Sequence, residues 1–469
     1  VSRLTVEAPR NAILRAHSIF DPQIVSSFTP TRNARPVATR IIGDQQQLGA
    51  DVASSLSQQF SLRGQQVLPT GTTYSVGYDA NRFTSTSTDN QGNRAAPQIQ
   101  GNLALNFTQP LLRNRGAYLT KLPITIARGR LKSTEFNIED QILRLLATAE
   151  NAYWDVVSAR ETLRVQEQSL ALFGESLKRS QRELELGALS ELEIFQPRAQ
   201  YANAEIQVTQ AKFRLQQAED ALRRQISADL IPAVRELPIV LTEDVAPPTQ
   251  TEINRDDLIN KALSRRPDLL ASRQTMDITN LQIQQAANGL RPDLRLTANY
   301  GSFGRNSYFS PEQNRLVAAG LGESISQMFG WSYPVYGMGL QLTLPLRDRR
   351  ASADYADAVV SKRLEMLRVR SLEQTARLEV LNAITQVENS KASIELAKIS
   401  LDLAQKRVDA DQKRFDLGAI TMFFLLDAQT QLTQAQSALV NQTVQYRRNL
   451  TNLLRVTGDL LSERGIAIQ

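Results

Sequence analysis

Apolar residues recur at steps of three and four over two long stretches of the chain. The first stretch begins at Ile142 and continues to Leu184, and the second runs from Ala376 to Phe415. This spacing places the apolar side chains along one side of a helix and is typical of a coiled-coil seam. The pattern therefore predicts two long helices that pack lengthwise against other helices.

The two apolar patterns are copies of each other. A shift of 231 positions, from Gly187 to Gly418, superimposes the second pattern on the first in the same register. Each glycine lies in a Leu-Gly-Ala turn, and glycine adopts the left-handed conformation that ends a helix without steric cost. A second apolar helix follows each turn, at 192–226 and at 423–454. The chain thus contains a duplicated helical hairpin.

Between the helices, apolar and polar residues alternate with the period of two that indicates β-strands. The alternation covers 74–79, 102–107, 294–300 and 338–344. Both a membrane barrel and a half-buried soluble sheet produce such a pattern. About four strands cannot close a barrel, which requires roughly eight, and an open sheet edge is not tolerated in lipid. A membrane location would therefore require several chains to share one barrel.

The order of these elements predicts two structural repeats, 1–227 and 255–469, joined by a proline-rich linker at 228–254. The linker is expected to lie midway along the column of helices, in its equatorial region. The first repeat contains the end of an N-terminal helix, a strand region at 20–110 and a helical hairpin at 128–227. The second contains a helix at 255–290, a strand region at 291–346, a helical hairpin at 350–458 and a C-terminal tail. The linker is expected to include a short strand at 239–241, and the helix at 255–290 a break at 266–268.

The first strand region is longer than the second, and its extra residues leave two interpretations open. Residues 31–96 are rich in Ser, Gln, Thr, Gly and Asn. They form either a long exposed loop or additional strands, with 56–62 as the candidate strand.

Composition excludes several functional classes. The 469 residues have a mean hydropathy of −0.31, and no apolar run approaches the ~18 residues of a membrane-spanning helix. There is no cysteine and a single histidine, His17, so the sequence predicts no catalytic residue, no cofactor and no metal site. The net charge is +6, but the basic residues are interleaved with acidic ones and do not form blocks, which argues against nucleic-acid binding. Residues 1–10 show no signal peptide, and we expect a processed or incomplete N-terminus.

Short motifs occur in the same order as these elements. They are Phe20-Asp21-Pro22, Thr108-Gln109-Pro110-Leu111-Leu112, Asn151-Ala152-Tyr153-Trp154, Arg266-Pro267-Asp268-Leu269, Gly339-Leu340-Gln341-Leu342 ahead of Pro345-Leu346, and the two Leu-Gly-Ala turns. No single motif is specific, but their order, spacing and duplication together are. Over essentially its whole length, the chain resembles TolC-type outer-membrane efflux proteins.

The resemblance implies a fold that is mainly α with a membrane β-barrel contribution. Each protomer would supply about four transmembrane strands and part of a long coiled-coil α-helical barrel. Both barrels would close only in the homotrimer, with about twelve strands and about twelve helices. The chain would lie in the outer membrane, in contact with its lipid, and extend into the periplasm.

The implied function is a passive exit duct of a tripartite efflux pump or a type I secretion system. Substrates would arrive from an inner-membrane pump of the RND, ABC or MFS type through a periplasmic adaptor protein. The alternative is a non-channel coiled-coil structural or scaffold protein of the cell envelope.

The resemblance also assigns candidate site residues at the turns. Adaptor contact is expected at Leu186, Gly187, Ala188, Leu417, Gly418 and Ala419. The expected periplasmic gate consists of Asp427, Phe424, Glu193, Glu191, Phe415 and Ile420.

Within that gate, Asp427 matches one carboxylate of an acidic ring known from the family, and Glu193 matches an Asp of its latch. Phe415 and Ile420 replace the Tyr and Arg of that latch, so we expect the polar latch to be largely missing. We expect closure to rely on an apolar constriction that includes Phe424, with Asp427 and Glu191 or Glu193 giving cation preference. Acidic residues in the first turn of a helix also favour its dipole, which gives both glutamates an ordinary structural explanation.

Overall fold

The computed structural model describes residues 2–36, 52–86, 97–187, 190–228, 231, 233, 237–243, 254–305, 307–310, 312, 315–318 and 321–466. In chain order the helices are α1 (Ser2–His17), α2 (Ala117–Glu185), α3 (Phe195–Gln225), α4 (Arg255–Arg265), α5 (Pro267–Gly289), α6 (Leu321–Phe329), α7 (Arg349–Asp416), α8 (Met422–Thr457) and α9 (Leu460–Glu463). Among the described residues, none of these helices has the length and apolar content needed to cross a membrane.

The strands are β1 (Gln23–Pro36), β2 (Val52–Val67), β3 (Thr73–Ser85), β4 (Gln98–Pro110), β5 (Asp293–Arg305), β6 (Ser307–Ser310), β7 (Arg315–Ala318) and β8 (Pro334–Thr343). The chain divides into two compact units. The sheet unit comprises Val1–Lys132 and Gln274–Glu365, and the hairpin unit comprises Ser133–Arg273 and Met366–Gln469. Each predicted repeat contributes to both units, and the predicted division into repeats and linker remains a prediction.

The sheet unit contains a six-stranded antiparallel sheet in the order β1-β2-β3-β4-β5-β8. The expectation of about four strands is therefore corrected to six. The additional strands are β1 and β2, and β2 includes the candidate strand at 56–62. Residues 31–96 thus add strands, while 37–51 and 87–96 lie outside the described residues.

The sheet has one apolar and one polar face. One row of aligned residues on the apolar face is Ile24, Gly64, Val76, Leu105, Tyr300 and Tyr336, and the next row, on the other face, is Gln23, Gln65, Ser75, Asn106, Asn299 and Gly337. Because successive side chains of a strand point to opposite faces, the alternation in sequence becomes a separation of the two faces across all six strands, interrupted on the apolar side by Gln58 and Arg82.

The short helix α6 packs on the apolar face of this sheet. Met328 and Ser324 are buried there against Gly101 of β4 and Gly304 of β5. A Cβ atom at Gly304 would lie 2.0 Å from the Ser324 carbonyl oxygen, so only glycine allows this approach. After the helix, the Trp331 ring stacks on Tyr300 with 4.7 Å between ring centroids.

The hairpin unit is held together by the predicted seams. Val380, Ala383, Ile384 and Val387 of α7 are almost completely buried, in a cluster that includes Leu453 of α8. Small side chains in this seam allow the helix backbones to approach closely, which favours long paired helices over a wide core.

The predicted helix break at Arg266–Pro267–Asp268 is present between α4 and α5. Arg266 is 8% exposed, and its guanidinium donates to Asp268 (Nη2–Oδ2, 2.8 Å) and to Glu379 of α7 (Nη1–Oε2, 2.6 Å). Burial of Asp268 favours its protonated form, but the hydrogen bonds and charge of Arg266 hold the pKa of this carboxyl below its ordinary value. The Arg-Pro-Asp motif therefore joins α5 to α7.

The short strand expected at 239–241 is not formed. Instead, the Ile239 carbonyl oxygen accepts a hydrogen bond from Arg160 Nη2 (2.9 Å), and the Glu243 N–H donates to the Tyr153 hydroxyl (3.1 Å). Both partners lie on α2, so helix side chains, and not another strand, bind the backbone of this segment.

Candidate functional site at the hairpin tips

The glycines of the two hairpin turns have the same left-handed conformation. Gly187 has φ +71° and Gly418 has φ +72°, and a Cβ atom at either position would meet nothing within 4 Å. At the second turn, the Gly418 N–H donates to the Phe415 carbonyl (2.9 Å) and the Ala419 N–H to the Arg414 carbonyl (2.8 Å). This pair of bonds is the Schellman ending of a helix. Glycine is therefore required for backbone conformation and not for space.

Each turn presents an exposed leucine. Leu186 is 83% exposed and Leu417 is 84% exposed, and Ala419 is also exposed. Ala188 lies outside the described residues. An exposed apolar side chain at a turn is available to a partner protein, but adaptor contact at these residues remains a prediction.

A capped turn follows the first tip. The Ser190 N–H donates to Glu193 Oε2 (3.2 Å), and the Leu192 N–H donates to the Ser190 hydroxyl oxygen (3.3 Å). The helix expected from residue 192 begins instead at Phe195, so Glu193 lies in the turn ahead of the helix. Glu191 is exposed beside it. The described contacts of Glu193 are those of a capping side chain.

The second tip leads directly into α8. The rings of Phe423 and Phe424 meet edge to face, with 5.5 Å between centroids, and about half of each side chain is exposed. Met422, Leu425 and Leu426 on the same turns are buried in the hairpin core. Phe424 thus presents an apolar ring outside the core, as the predicted constriction requires.

The carboxylate of Asp427 is paired within its own hairpin. Arg407 of α7 donates to Asp427 Oδ2 (3.0 Å), and Gln431 Nε2 donates to the same oxygen (2.9 Å). The prediction placed Asp427 in a ring of carboxylates that gives the pore its cation preference. Its negative charge is in fact partly balanced by Arg407, a residue to which no feature of the sequence pointed.

Phe415 and Ile420 are both half-buried. Phe415 packs against the cluster formed by Phe173 and Leu425, and the Arg179 guanidinium carbon lies 4.7 Å from its ring centroid. The structure therefore places Phe415 in the packing between helices, next to a charged side chain.

A polar contact that the sequence did not predict links the two hairpins near the tips. Arg179 of α2 donates to Asp416 of α7 (Nη1–Oδ1, 2.5 Å) and also to Glu183 (Nε–Oε1, 3.1 Å). The hydrogen bond from Arg179 holds the pKa of Asp416 below its ordinary value, so this carboxylate is ionised at neutral pH. We call the Arg179–Asp416 pair the tip latch. Its sequence signal was faint: a basic residue near the end of α2 and an acidic residue at the end of α7.

The hairpin tips offer exposed apolar side chains and ion pairs. In the described part of the chain, no three His, Asp or Glu side chains are grouped so that they could hold a metal ion. A cleft of about 470 Å³ lies between α2, α7 and α8, and Arg179, Lys413 and Gln429 line it.

Comparison with known proteins identifies the family. The family model described as "Outer membrane efflux protein" matches residues 46–227 and 258–459. The chain belongs to the outer membrane efflux protein family. The two matched segments contain the two helical hairpins.

Members of the outer membrane efflux protein family are found among both curated relatives and solved structures. The toluene efflux pump outer membrane protein TtgC of Pseudomonas putida is 24% identical over 319 residues, which cover 67% of this chain and 60% of TtgC. The outer membrane protein TolC of Escherichia coli is 26% identical over 336 residues, covering 70% of this chain and 64% of TolC. The matches thus span less than two thirds of each of these relatives.

The crystal structure of the outer membrane channel CmeC of Campylobacter jejuni has the same fold. It matches with a TM-score of 0.62 and 15% identity, covering 98% of this chain and 82% of CmeC. The family model confirms the resemblance read from the motifs and the outer-membrane location with a periplasmic extension, and the solved structure confirms the fold class, with six strands in place of about four. The relatives are channels and not enzymes, and the scaffold alternative is not favoured.

Proposed function

We propose that this protein is the outer-membrane exit duct of a tripartite efflux pump or a type I secretion system. It conducts substrates passively from an inner-membrane pump and a periplasmic adaptor to the exterior. The observation that carries the proposal is the six-stranded sheet with one mainly apolar face and one mainly polar face. Such a sheet separates lipid from water, which is the requirement for a membrane pore wall.

The chain acts as a homotrimer in this proposal. Six strands are fewer than the roughly eight that close a barrel, so the sheet needs further copies to enclose a pore. The long paired helices of the hairpin unit supply the wall of the periplasmic tunnel. Outer-membrane lipid covers the part of the apolar face on which α6 does not pack.

The hairpin tips are the proposed contact with the periplasmic adaptor, which itself binds an inner-membrane pump of the RND, ABC or MFS type. The support is the pair of equivalent turns, each holding a leucine more than four-fifths exposed. Two equivalent tips per chain would give a trimer six similar docking points, which suits a partner that repeats around the same axis.

The adaptor contact is tested by cross-linking from single cysteines, since the chain has none of its own. Leu186→Cys and Leu417→Cys, each labelled with a photo-activated cross-linker in native membranes, are expected to capture a periplasmic adaptor identified by mass spectrometry. Leu396→Cys is the matched control, because Leu396 is 68% exposed and lies earlier in α7, away from the tip. Equal capture of the adaptor at position 396 would contradict docking at the tips.

The gate is proposed to lie just past the second tip, where Phe424 forms the apolar constriction and the tip latch holds the hairpins together. Asp427, in its pair with Arg407, contributes cation preference together with Glu191 or Glu193. Hydrophobic constrictions close a pore by excluding water from it, so loss of the Phe424 ring should favour the conducting state.

Planar-bilayer recordings of the full-length trimer test both the duct and the gate. The wild-type protein is expected to give discrete conductance steps, and their absence from correctly assembled trimer would refute the duct. Phe424→Ala should raise the open fraction, with Phe423→Ala as the neighbouring control, and Asp427→Asn should lower the cation-to-anion permeability ratio. If Phe424→Ala and Asp427→Asn both leave conductance and selectivity unchanged, the gate assignment is wrong.

A further inference from the structure

The two edges of the six-stranded sheet lie on β1 and β8. All fourteen residues of β1 are exposed, and so are all residues of β8 except the half-buried Gly337. In the part of the chain that the structure describes, no strand pairs with the outer side of either one. Each edge therefore presents a row of unpaired backbone N–H and C=O groups, which lipid cannot satisfy.

The directions of the two edge strands are compatible with pairing between copies. Every neighbouring pair in the sheet is antiparallel, and the number of strands is even, so β1 and β8 run in opposite directions. If β8 of one copy is placed beside β1 of the next, the new pair is antiparallel as well. Repeated copies then close into a ring with one uniform pattern.

The β1–β2 hairpin has the pattern of a pore wall and not of a loop. Phe28 and Phe60 face each other on the apolar side of the sheet. On the polar side, the Ser27 and Ser61 hydroxyls lie 2.7 Å apart, and Arg63 of β2 donates to Asp79 of β3 (3.2 Å). The separation of faces therefore continues through the two strands that the sequence did not assign.

From these features we infer that three copies close one barrel of eighteen strands, through a seam between β8 of one copy and β1 of the next. The inference rests on the homotrimeric duct proposed above and departs from the twelve strands that the family resemblance implies. Barrel diameter grows roughly linearly with strand number, so the pore wall would be about 1.5 times as wide as a twelve-stranded one. Barrels of about this size enclose an aqueous channel.

The competing arrangement has twelve strands. In it, β3 replaces β1 at the seam and the β1–β2 hairpin lies outside the ring. That arrangement would break the β2–β3 ladder, which runs from Val67–Thr73 to Ser55–Ser85, or leave it projecting from the wall. The two arrangements place different strands beside β8 of the neighbouring copy, so cross-linking distinguishes them.

Cysteine pairs provide the test, because the natural chain contains no cysteine. Gln341→Cys, on the polar side of β8 near the end that leads into α7, is combined in turn with Gln23→Cys, Val25→Cys and Ser27→Cys of β1. The control combination is Gln341→Cys with Ser75→Cys, on the polar side of β3. Assembled protein in outer membranes is oxidised mildly, and covalent species are resolved with and without reductant.

The seam between β8 and β1 predicts reducible species of two and three linked chains for at least one β1 combination and none for the β3 control. Linkage through position 75, or linked pairs that never extend to three chains, would overturn it. A cryo-electron microscopy map of the wild-type trimer in lipid gives an independent strand count, in which twelve strands overturn the inference whatever the cysteines show. A twelve-stranded trimer that still conducts would leave the proposed duct intact, whereas a linked eighteen-stranded trimer without conductance would count against the duct alone.

Discussion

The two hairpin tips both turn at a glycine but lead into helices of different character. Their glycines share one left-handed conformation, and their leucines are equally exposed. After the second tip, fifteen of the 36 residues of α8 are buried, whereas after the first tip only five of the 31 residues of α3 are. Duplication has therefore kept the turn and changed the returning helix.

This difference separates a helix packed within its own chain from one that offers its side chains outward. Ile206 and Phe213 of α3 are 52% and 62% exposed, while Leu425 and Leu426 of α8 are almost completely buried. Large apolar side chains in a row on one helix mark a contact surface. In the proposed trimer, a neighbouring chain covers α3, so α8 stabilises the protomer and α3 stabilises the assembly.

The largest expected effect comes from truncating a buried residue on one helix and an exposed one on the other. Leu426→Ala should lower the free energy of unfolding of the protomer by about 3 kcal/mol, because it removes buried methyl groups and leaves a cavity. Phe213→Ala should leave the protomer nearly unchanged and reduce the fraction of heat-resistant trimer. Denaturant unfolding and gel migration of unheated samples measure the two quantities. Equal losses of protomer stability would remove the distinction between α3 and α8.

The second effect tests the feature that the tips share. Gly187→Ala and Gly418→Ala should each cost about 1 kcal/mol, since an L-residue must adopt the left-handed conformation although nothing blocks its Cβ atom. Gly174→Ala is the control, because Gly174 lies inside α2, where alanine should stabilise the helix. A Cβ atom there would lie 3.4 Å from the Tyr201 ring, an ordinary contact distance. Thermal unfolding of the three variants measures the shifts. A clearly larger loss at one tip would show that the two turns are not equivalent.

The sequence was most informative where one local period decides the structure. Apolar spacing predicted α2 and α7, and glycine chemistry predicted the tips. Strand β1 was missed because its apolar positions, including Ile24 and Phe28, are interrupted by Ser26 and Pro30, so only pairing with β2 shows its face. The tip latch was missed for another reason: the meeting of Arg179 and Asp416 depends on how two helices are rotated about their axes, which residue spacing does not determine.

A smaller effect on stability, but a clear one on gating, is expected at the tip latch. Asp416→Asn removes the charge that Arg179 of the other hairpin binds, so the open fraction in bilayer recordings should rise while assembly is retained. Asp402→Asn is the matched control, because Asp402 forms an exposed ion pair with Lys406 within α7 alone (2.7 Å). If Asp402→Asn opens the channel as much as Asp416→Asn, the latch has no special role.

The pH dependence of the latch gives the smallest and most specific effect. Arg179 lowers the pKa of Asp416 in the folded state, so the stabilisation by the latch is fully present above the ordinary aspartate pKa and is lost as the pH falls through the lowered value. From pH 8 down to about pH 5, the open fraction of the wild type should therefore not change through this pair. Further acidification should raise the open fraction towards that of Asp416→Asn, and the variant should lack this acid-induced component. A latch-dependent change near neutral pH, present in the wild type and absent from Asp416→Asn, would mean that the contact between the hairpins is controlled by a different group.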